Sequence, residues 1–253
     1  MISELRKEFI LNTLNENGIL YTQEIMKQCD VSEITIRRDL IELESKGLLI
    51  RTHGGAIKSK ATDLLFTYDL KINQNRHKKE TICQLAANYI AEGDVIFIDC
   101  GTTLSLITQF IAKFGFLTVI TNSLPVISEI IKFPNIRALL IGGEIAKERQ
   151  AIYGPIAENN ISMYHANKAF IGADGISLKN GLSSYDEKEA AITLKMINNS
   201  DEVFLLCDSS KIEKNSFMKF APITGIHHLI TDNLISPELL KMYRDFGVDV
   251  IIE

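Results

Sequence analysis

Seven short apolar runs in the C-terminal part of the chain constrain its fold more than any other feature: residues 95–98, 117–120, 139–141, 169–171, 203–206, 228–230 and 248–252. They are rich in β-branched and aromatic side chains and too short for helices, so each reads as a strand. Their polar content is low throughout rather than alternating, which means that both faces of the sheet are covered. Stretches with helical periodicity separate most of them. Strand alternating with helix predicts an α/β domain with a mostly parallel sheet.

Ligands of such sheets bind beyond the carboxyl ends of the strands, and the residues that follow these runs are small, hydroxylated or glycine. After the first comes Asp99-Cys100-Gly101-Thr102-Thr103, after the second Thr121-Asn122-Ser123, after the third Gly142-Gly143, and after the fourth Gly172-Ala173-Asp174-Gly175. Glycines let backbone N–H groups approach an anion, and a following helix N-terminus adds partial positive charge. One such motif is an ordinary helix cap; four on successive strands point to a phosphate site at one edge of the sheet. Asp174, Glu187, Glu189 and Lys211, the last within Asp208-Ser209-Ser210-Lys211, add groups suited to polyol hydroxyls or to proton transfer.

The N-terminal sixty residues have a different texture. Leu5, Phe9, Ile10 and Leu14 give an amphipathic first helix ending at Asn17-Gly18. Thr22 is placed to cap a second helix, burying Ile25 and Met26, and Asp30-Val31 turns into a third. With Ser32 as N-cap, Ile36, Leu40 and Leu43 form one apolar stripe, while Arg38 lies about 200° from Ile36 beside Ile34. Helix, turn, and a helix with an arginine-bearing outer face is a helix-turn-helix. Gly47 is expected to end that helix. Residues 48–57 then read as two short strands around Gly54-Gly55, the wing of a winged helix. Ser32, Ile34, Thr35, Arg37, Arg38, Arg51, His53, Gly54 and Gly55 are the expected DNA contacts. Arg37 or Arg38 would read guanine or hold phosphate, and Thr35 and Ile34 would touch a thymine methyl.

Charge supports a local rather than a global nucleic-acid surface. The net charge is −5, yet from Lys46 to Lys60 there are four basic residues and His53 with no acid. Cys29, Cys83, Cys100 and Cys207 stand in apolar surroundings without CxxC spacing, the pattern of reduced, buried thiols. With no membrane-length apolar run and no signal-peptide core, the expected compartment is the cytoplasm. GxGxxG and GxxxxGK[ST] are absent from the sequence, so neither a dinucleotide cofactor nor a P-loop nucleotide is expected. His227-His228 is the one close histidine pair, and adjacent strand positions face opposite sides, so no metal site is expected.

The residues Val31-Ser32, Thr35-Ile36-Arg37-Arg38-Asp39-Leu40, Leu43-Glu44, Gly47, Arg51 and His53-Gly54-Gly55-Ala56 resemble the N-terminal signature of the DeoR family of bacterial transcriptional regulators. The C-terminal half is similar to that family's sensor through Asp99, Gly101 to Thr103, Thr121 to Ser123, Gly142-Gly143, Phe170 to Ala173 with Gly175, and Asp208 to Lys211. The resemblance covers nearly the whole chain. It implies a repressor that binds double-stranded operator DNA, acts as a homo-oligomer (dimer or tetramer), and has its operator affinity controlled by a phosphorylated sugar. The sensor in turn resembles ribose-5-phosphate isomerase, with counterparts for Lys79, Gly101 to Thr103, Gly172 to Asp174 and Asp208 to Lys211. That enzyme's glycine run before its catalytic glutamate is replaced here by residues 179–187.

The expected organisation is a winged helix-turn-helix at 1–57, a linker at 58–75 and an α/β effector-sensing domain at 76–253. Phosphate contacts would come from Lys79, Gly101 to Thr103 and Thr121 to Ser123, with Asp174, Glu187 and Lys211 on sugar hydroxyls. Two other readings are a phosphosugar isomerase with an appended helix-turn-helix, and a protein-interaction module that binds no DNA.

Overall fold

A computed structural model of the chain describes residues 3–45, 48–57 and 68–253, which group into two units, 1–74 and 75–253. Left-handed residues punctuate the first. α1 (Ser3–Asn17) stops at Gly18, φ 73°, and leads into β1 (Ile19–Tyr21); α2 (Thr22–Cys29) stops at Asp30, φ 52°. α3 (Glu33–Ser45), β2 (Ile50–Thr52) and β3 (Gly55–Ile57) follow. Gly47, the expected stop of α3, lies outside the described residues.

The apolar stripe of α3, Ile36, Leu40 and Leu43, is buried in one core with Ile10 and Leu14 of α1 and Ile25 of α2. Each such side chain stabilises the unit by roughly 1.5–3 kcal/mol. Three details depart from the sequence expectation. Leu5 is exposed and Leu11 takes its place in the core. Thr22 begins α2 instead of capping it, because its N–H donates to the carbonyl of Gly54. The wing turns at His53-Gly54, and Gly55 already belongs to β3.

β3 is paired on both sides, in the order β1-β3-β2 and antiparallel throughout. A Cβ on Gly55 would fall 1.9 Å from the carbonyl oxygen of Leu20, so this close approach of β3 to β1 requires glycine. Across the unit, Arg6 donates to both carboxylate oxygens of Asp39, at 2.5 and 3.2 Å. Both side chains are under a tenth exposed, and the pair locks α3 to α1.

Residues 58–67 of the expected linker lie outside the described residues, and within its remainder α4 (Asp69–Asn73) forms a short helix. The second unit starts with α5 (Arg76–Ala87) and β4 (Val95–Ile98). A 3-10 turn (Leu104–Ile107) then leads through α6 (Thr108–Ile111) to β5 (Leu117–Thr121), α7 (Leu124–Ile130) and β6 (Ile136–Leu140). A hairpin of β7 (Glu144–Ala146) and β8 (Ala151–Tyr153) precedes α8 (Pro155–Ile161) and β9 (Ala166–Ile171). β10 (Gly175–Ser177), β11 (Gly181–Ser184), α9 (Glu187–Asn198) and β12 (Ser200–Leu206) come next. β13 (Met218–Ala221), β14 (His228–Ile230), α10 (Pro237–Phe246) and β15 (Asp249–Ile251) complete the unit.

All seven apolar runs are strands of one sheet, ordered β15-β14-β12-β9-β4-β5-β6, and every pairing in it is parallel. From β4 the chain winds outward to β5 and β6; from β9 it winds the other way to β12, β14 and β15. Connections therefore leave the carboxyl ends of β4 and β9 in opposite directions, and such a switch point opens a crevice between them. One expectation needs correcting. Hairpins, not helices, follow β6 and β9, and the turns after β4 and β12 (Ser209–Lys211) are 3-10, so of the strands β4, β5, β6, β9 and β12 it is β5 that leads directly into an α-helix, α7. Among the described residues no helix is long and apolar enough to cross a membrane.

Candidate functional site

Two surfaces carry the candidate residues, one in each unit. On α3, Ile34 is 79% exposed, an apolar side chain held in solvent by the burial of Ile36 and Leu40 on the opposite face. Ser32 accepts the N–H groups of Thr35 and Ile36 on its carbonyl, and its hydroxyl meets that of Thr35 at 3.0 Å, fixing the start of the helix. Arg37 pairs with Glu33 one turn back at 2.6 Å. Arg38, also exposed, forms no ion pair among the described residues and borders a shallow recess with Arg6, Ile34 and Thr35. In the wing, Arg51 meets Glu44 through its backbone N–H and its Nε, at 3.0 and 2.8 Å. Those contacts, the backbone one foremost, hold the Glu44 carboxyl below the usual carboxylate range.

A groove of about 710 Å³ runs between the start of α2, the outer face of α3 and the wing, bordered by Gln23, Arg37, Arg51 and His53. His53 and Gly54 are exposed at the wing's turn, whereas Gly55 is buried beneath β1 and serves packing. Of the sequence candidates of this face, Arg37, Arg51, His53, Gly54 and Gly55 line the groove and Ile34, Thr35 and Arg38 the recess, whereas Ser32 lines neither.

In the second unit the switch point gathers residues from four strands. Lys79, buried on α5, donates to the Thr102 hydroxyl at 3.0 Å, in the loop after β4. Thr103, also buried, accepts the Cys83 thiol on its carbonyl at 3.0 Å. Gly101 accepts the N–H of Ser105, closing that loop into the 3-10 turn. Asp99 is enclosed; its carboxylate accepts from the N–H of Cys100 at 2.8 Å, the Thr193 hydroxyl at 3.0 Å and the N–H of Gly172 at 3.3 Å. Burial outweighs these donors and raises its pKa above the ordinary carboxylate range. Asp99 therefore ties the end of β4 to the end of β9 and to α9.

At the end of β9, Asp174 accepts from the N–H of Tyr185 at 3.1 Å and the Ser184 hydroxyl at 3.4 Å. Lys211, after β12, reaches back to the carbonyl of Ala173 at 2.7 Å. Gly175 opens β10 opposite Ser183, and Glu187 is exposed at the first position of α9.

Thr121, Asn122 and Ser123 are completely enclosed. The Thr121 hydroxyl donates to the Ile98 carbonyl and accepts the Ser123 N–H; the Asn122 amide donates to the Ile152 carbonyl; Ser123 caps α7. These three side chains fasten β4, α7 and the β7–β8 hairpin to one another. Gly142 and Gly143 are exposed at the entry to that hairpin, and a Cβ on Gly143 would lie 2.6 Å from the Tyr153 carbonyl oxygen.

Three polar residues at this edge escaped the sequence reading. Lys78 approaches the Ser209 hydroxyl at 3.4 Å and Asp232 at 3.5 Å. Asp232, just beyond β14, accepts the N–H and hydroxyl of Ser209 and the N–H of Leu234. Burial alone would raise its pKa, but these donors and Lys78 bring it below the ordinary range. The third, Arg149, lies in the hairpin turn and pairs with Glu189 of α9 at 3.4 Å. Thr231-Asp232 repeats the polar ending seen after the other runs and was recognisable from it; Lys78 and Arg149 had no such signal.

The histidine pair is occupied locally. His227 accepts the N–H of Val203, while His228 bridges Glu202 and Asp249, each at 2.8 Å. The four cysteines are buried and unbridged. Burial pushes the Cys207 thiol up to about 12 and the Cys100 thiol well above the ordinary value, which makes both poor nucleophiles.

Comparison with known proteins agrees with both halves. The profile of the DeoR-like helix-turn-helix domain matches residues 6–62, and that of the DeoR C terminal sensor domain matches residues 74–233. The lactose phosphotransferase system repressor of Lactococcus lactis subsp. lactis is 37% identical over 249 residues, covering 97% of each chain. The HTH-type transcriptional repressor GlcR of Bacillus subtilis (strain 168) is 32% identical over 252 residues, 100% of this chain and 97% of that one. Among solved structures, ribose 5-phosphate isomerase A from Methanocaldococcus jannaschii aligns with 55% of each chain at 17% identity and a TM-score of 0.40. The chain, with a DeoR-like helix-turn-helix joined to a DeoR sensor domain, belongs to the DeoR family of transcriptional regulators.

Proposed function

We propose that this protein is a repressor that reads operator DNA with α3 and the wing, and whose operator affinity is set by a phosphorylated sugar bound at the carboxyl ends of β4, β9 and β12. The observation that carries the reading is the exposed outer face of α3, where Ile34, Arg37 and Arg38 project from a helix locked to α1 by the buried Arg6 and Asp39. A helix so held enters a major groove with its first residues against base edges, while Arg51 and His53 grip phosphates alongside. Arg38 is the better candidate for guanine, because Arg37 is already engaged by Glu33. Two half-sites and a homodimer or tetramer fit this mode of reading.

For the sensor, Lys79 on Thr102 and Lys211 on the Ala173 carbonyl present cations beside backbone N–H groups, a setting suited to phosphate. Two relatives are named for sugar systems, one as a repressor of the lactose phosphotransferase system and one as an activator of an L-fucose operon, which supports a sugar as the remainder of the effector. The domain boundaries follow the same division, with the reading head at 1–57 and the sensor at 76–253. We read the chain as binding its sugar without converting it: Asp99 is spent on three internal donors and Asp174 on Tyr185 and Ser184. Duplexes selected from a random library by the full chain, used in gel-shift titrations with and without a panel of sugar phosphates, test the proposal. Expected are a discrete operator, a change of affinity with at least one sugar phosphate, and no turnover in a coupled isomerase assay.

A further inference from the structure

The four acids of α3 all have basic partners: Glu33 pairs with Arg37, Asp39 with Arg6, Glu42 with Lys7 and Glu44 with Arg51. Arg38 is left as the cation of this helix that forms no ion pair among the described residues, and it stands between two isoleucines. Ile34, one turn before it, is 79% exposed, and Ile41, one turn after it, is 52% exposed. Neither belongs to the core that Ile36, Leu40 and Leu43 form with α1 and α2. At about 100° per residue, Ile34, Arg38 and Ile41 fall within about 60° of one another round the axis, on the side opposite the buried Ile36 and Leu43. Ile41 escaped the sequence reading. Arg37, held by Glu33 at 2.6 Å, lies beside this row and lines the groove shared with the wing.

The outward positions 34, 37, 38 and 41 have the spacing i, i+3, i+4, i+7, with which a helix lying in the major groove presents side chains to base edges. In that groove the thymine methyl is the apolar feature, and the O6 and N7 of guanine are the acceptors that suit an arginine. An isoleucine at each end of the row therefore matches methyls, as the arginine between them matches guanine. Seven residues of helix rise about 10 Å, close to three base steps of about 3.4 Å. Resting on the reading of operator DNA by α3 set out above, we propose that Ile41 is a further specificity-determining residue of the reading head. Together with Ile34 it selects half-sites in which two thymine methyls, about three base steps apart, flank a guanine met by Arg38. The row thus measures the separation of two A·T pairs as well as their identity.

Uracil in place of thymine tests this, because it keeps the base pair and removes only the methyl. The full chain selects duplexes from a random library, and the tightest is measured in gel-shift titrations with uracil at one thymine at a time. Wild type should lose about fourfold in affinity at each of two thymines separated by about three base steps. Ile41→Ala should bind thymine and uracil alike at one of these positions and keep the full loss at the other; Ile34→Ala should do the reverse. Ile41→Val, which keeps a branched apolar group, should restore the sensitivity. Both side chains face solvent, so the melting curves of these variants are expected to match wild type. An Ile41→Ala protein that responds to every uracil as wild type does overturns the inference, as does a selected duplex in which no two thymines at that separation are sensitive. If no duplex is selected, or if Arg38→Ala leaves affinity and specificity unchanged, the reading of DNA by α3 has failed and the inference with it. An effect of Arg38→Ala without any methyl dependence sinks the inference alone.

Discussion

Arg37 and Arg38 stand on an exposed helix face, whereas the lysines at the sheet edge, Lys78 and Lys79, are drawn into hydrogen bonds with Ser209 and Thr102. The contrast follows from what each surface meets. A DNA duplex arrives as a preformed, strongly charged partner, so the reading head needs its cations outside, with stability supplied from behind by Arg6, Asp39 and an apolar core. On the proposed reading the sensor encloses a small metabolite, and its polar groups would then serve twice, holding the strand ends together and meeting the ligand between them. Substitutions should therefore separate binding from stability in the first unit and fail to separate them in the second.

The largest effect is expected where the reading head does hide charge. Arg6→Ala or Asp39→Ala strands a buried partner and should cost about 3 kcal/mol, read as an early transition of the N-terminal unit in urea melts. A smaller loss bears on the sensor. In Asp232→Asn one of the backbone donors, Ser209 or Leu234, must face an amide N–H, and the attraction to Lys78 is gone; about 2 kcal/mol is expected. The pH dependence has a definite sign. Because the folded-state pKa of Asp232 is depressed, its stabilisation is present above the unfolded value near ~3.9 and is lost as pH falls through the folded one. Wild type and Asp232→Asn should accordingly converge in acid, as followed by melts across pH; a gap that stays constant would mean that the carboxylate's charge is irrelevant.

Arg38→Ala comes next. It should weaken the operator complex by roughly 1–2 kcal/mol and relax specificity while the melting curve stays put. Arg51→Ala should weaken all duplexes alike and flatten the salt dependence. Gel shifts in which Arg38→Ala matches wild type in affinity and specificity would remove it as a base reader. The smallest effect is reserved for Glu33→Gln, whose exposed bridge to Arg37 should be worth no more than about 0.5 kcal/mol in stability.

The sequence disclosed the parallel sheet and the helix-turn-helix, and little of the hairpins beside that sheet. Seven apolar runs became seven parallel strands because burial on both faces leaves a continuous signal. β7, β8, β10, β11 and β13 have three or four residues each, too few for an alternation to emerge, and with them went the hairpin that carries Arg149. The helix-turn-helix was legible because its outer face breaks the local rule: Ile34 has no burial to justify it. Asp99 and Thr121 to Ser123 were found by chemical type, but a residue string does not distinguish a hydroxyl that faces a ligand from one that closes a turn.

The crowding at Gly55 bears on how experiments on the wing are interpreted. Its two glycines are adjacent in the chain and opposite in tolerance: an added methyl at Gly54 meets nothing within 4 Å, while one at Gly55 strikes the backbone of Leu20. An alanine scan would then record two unlike failures under one phenotype. At Gly54 any lost affinity is evidence of proximity to DNA; at Gly55 the same loss means that the three-stranded sheet has come apart, and it belongs in the column of folding defects.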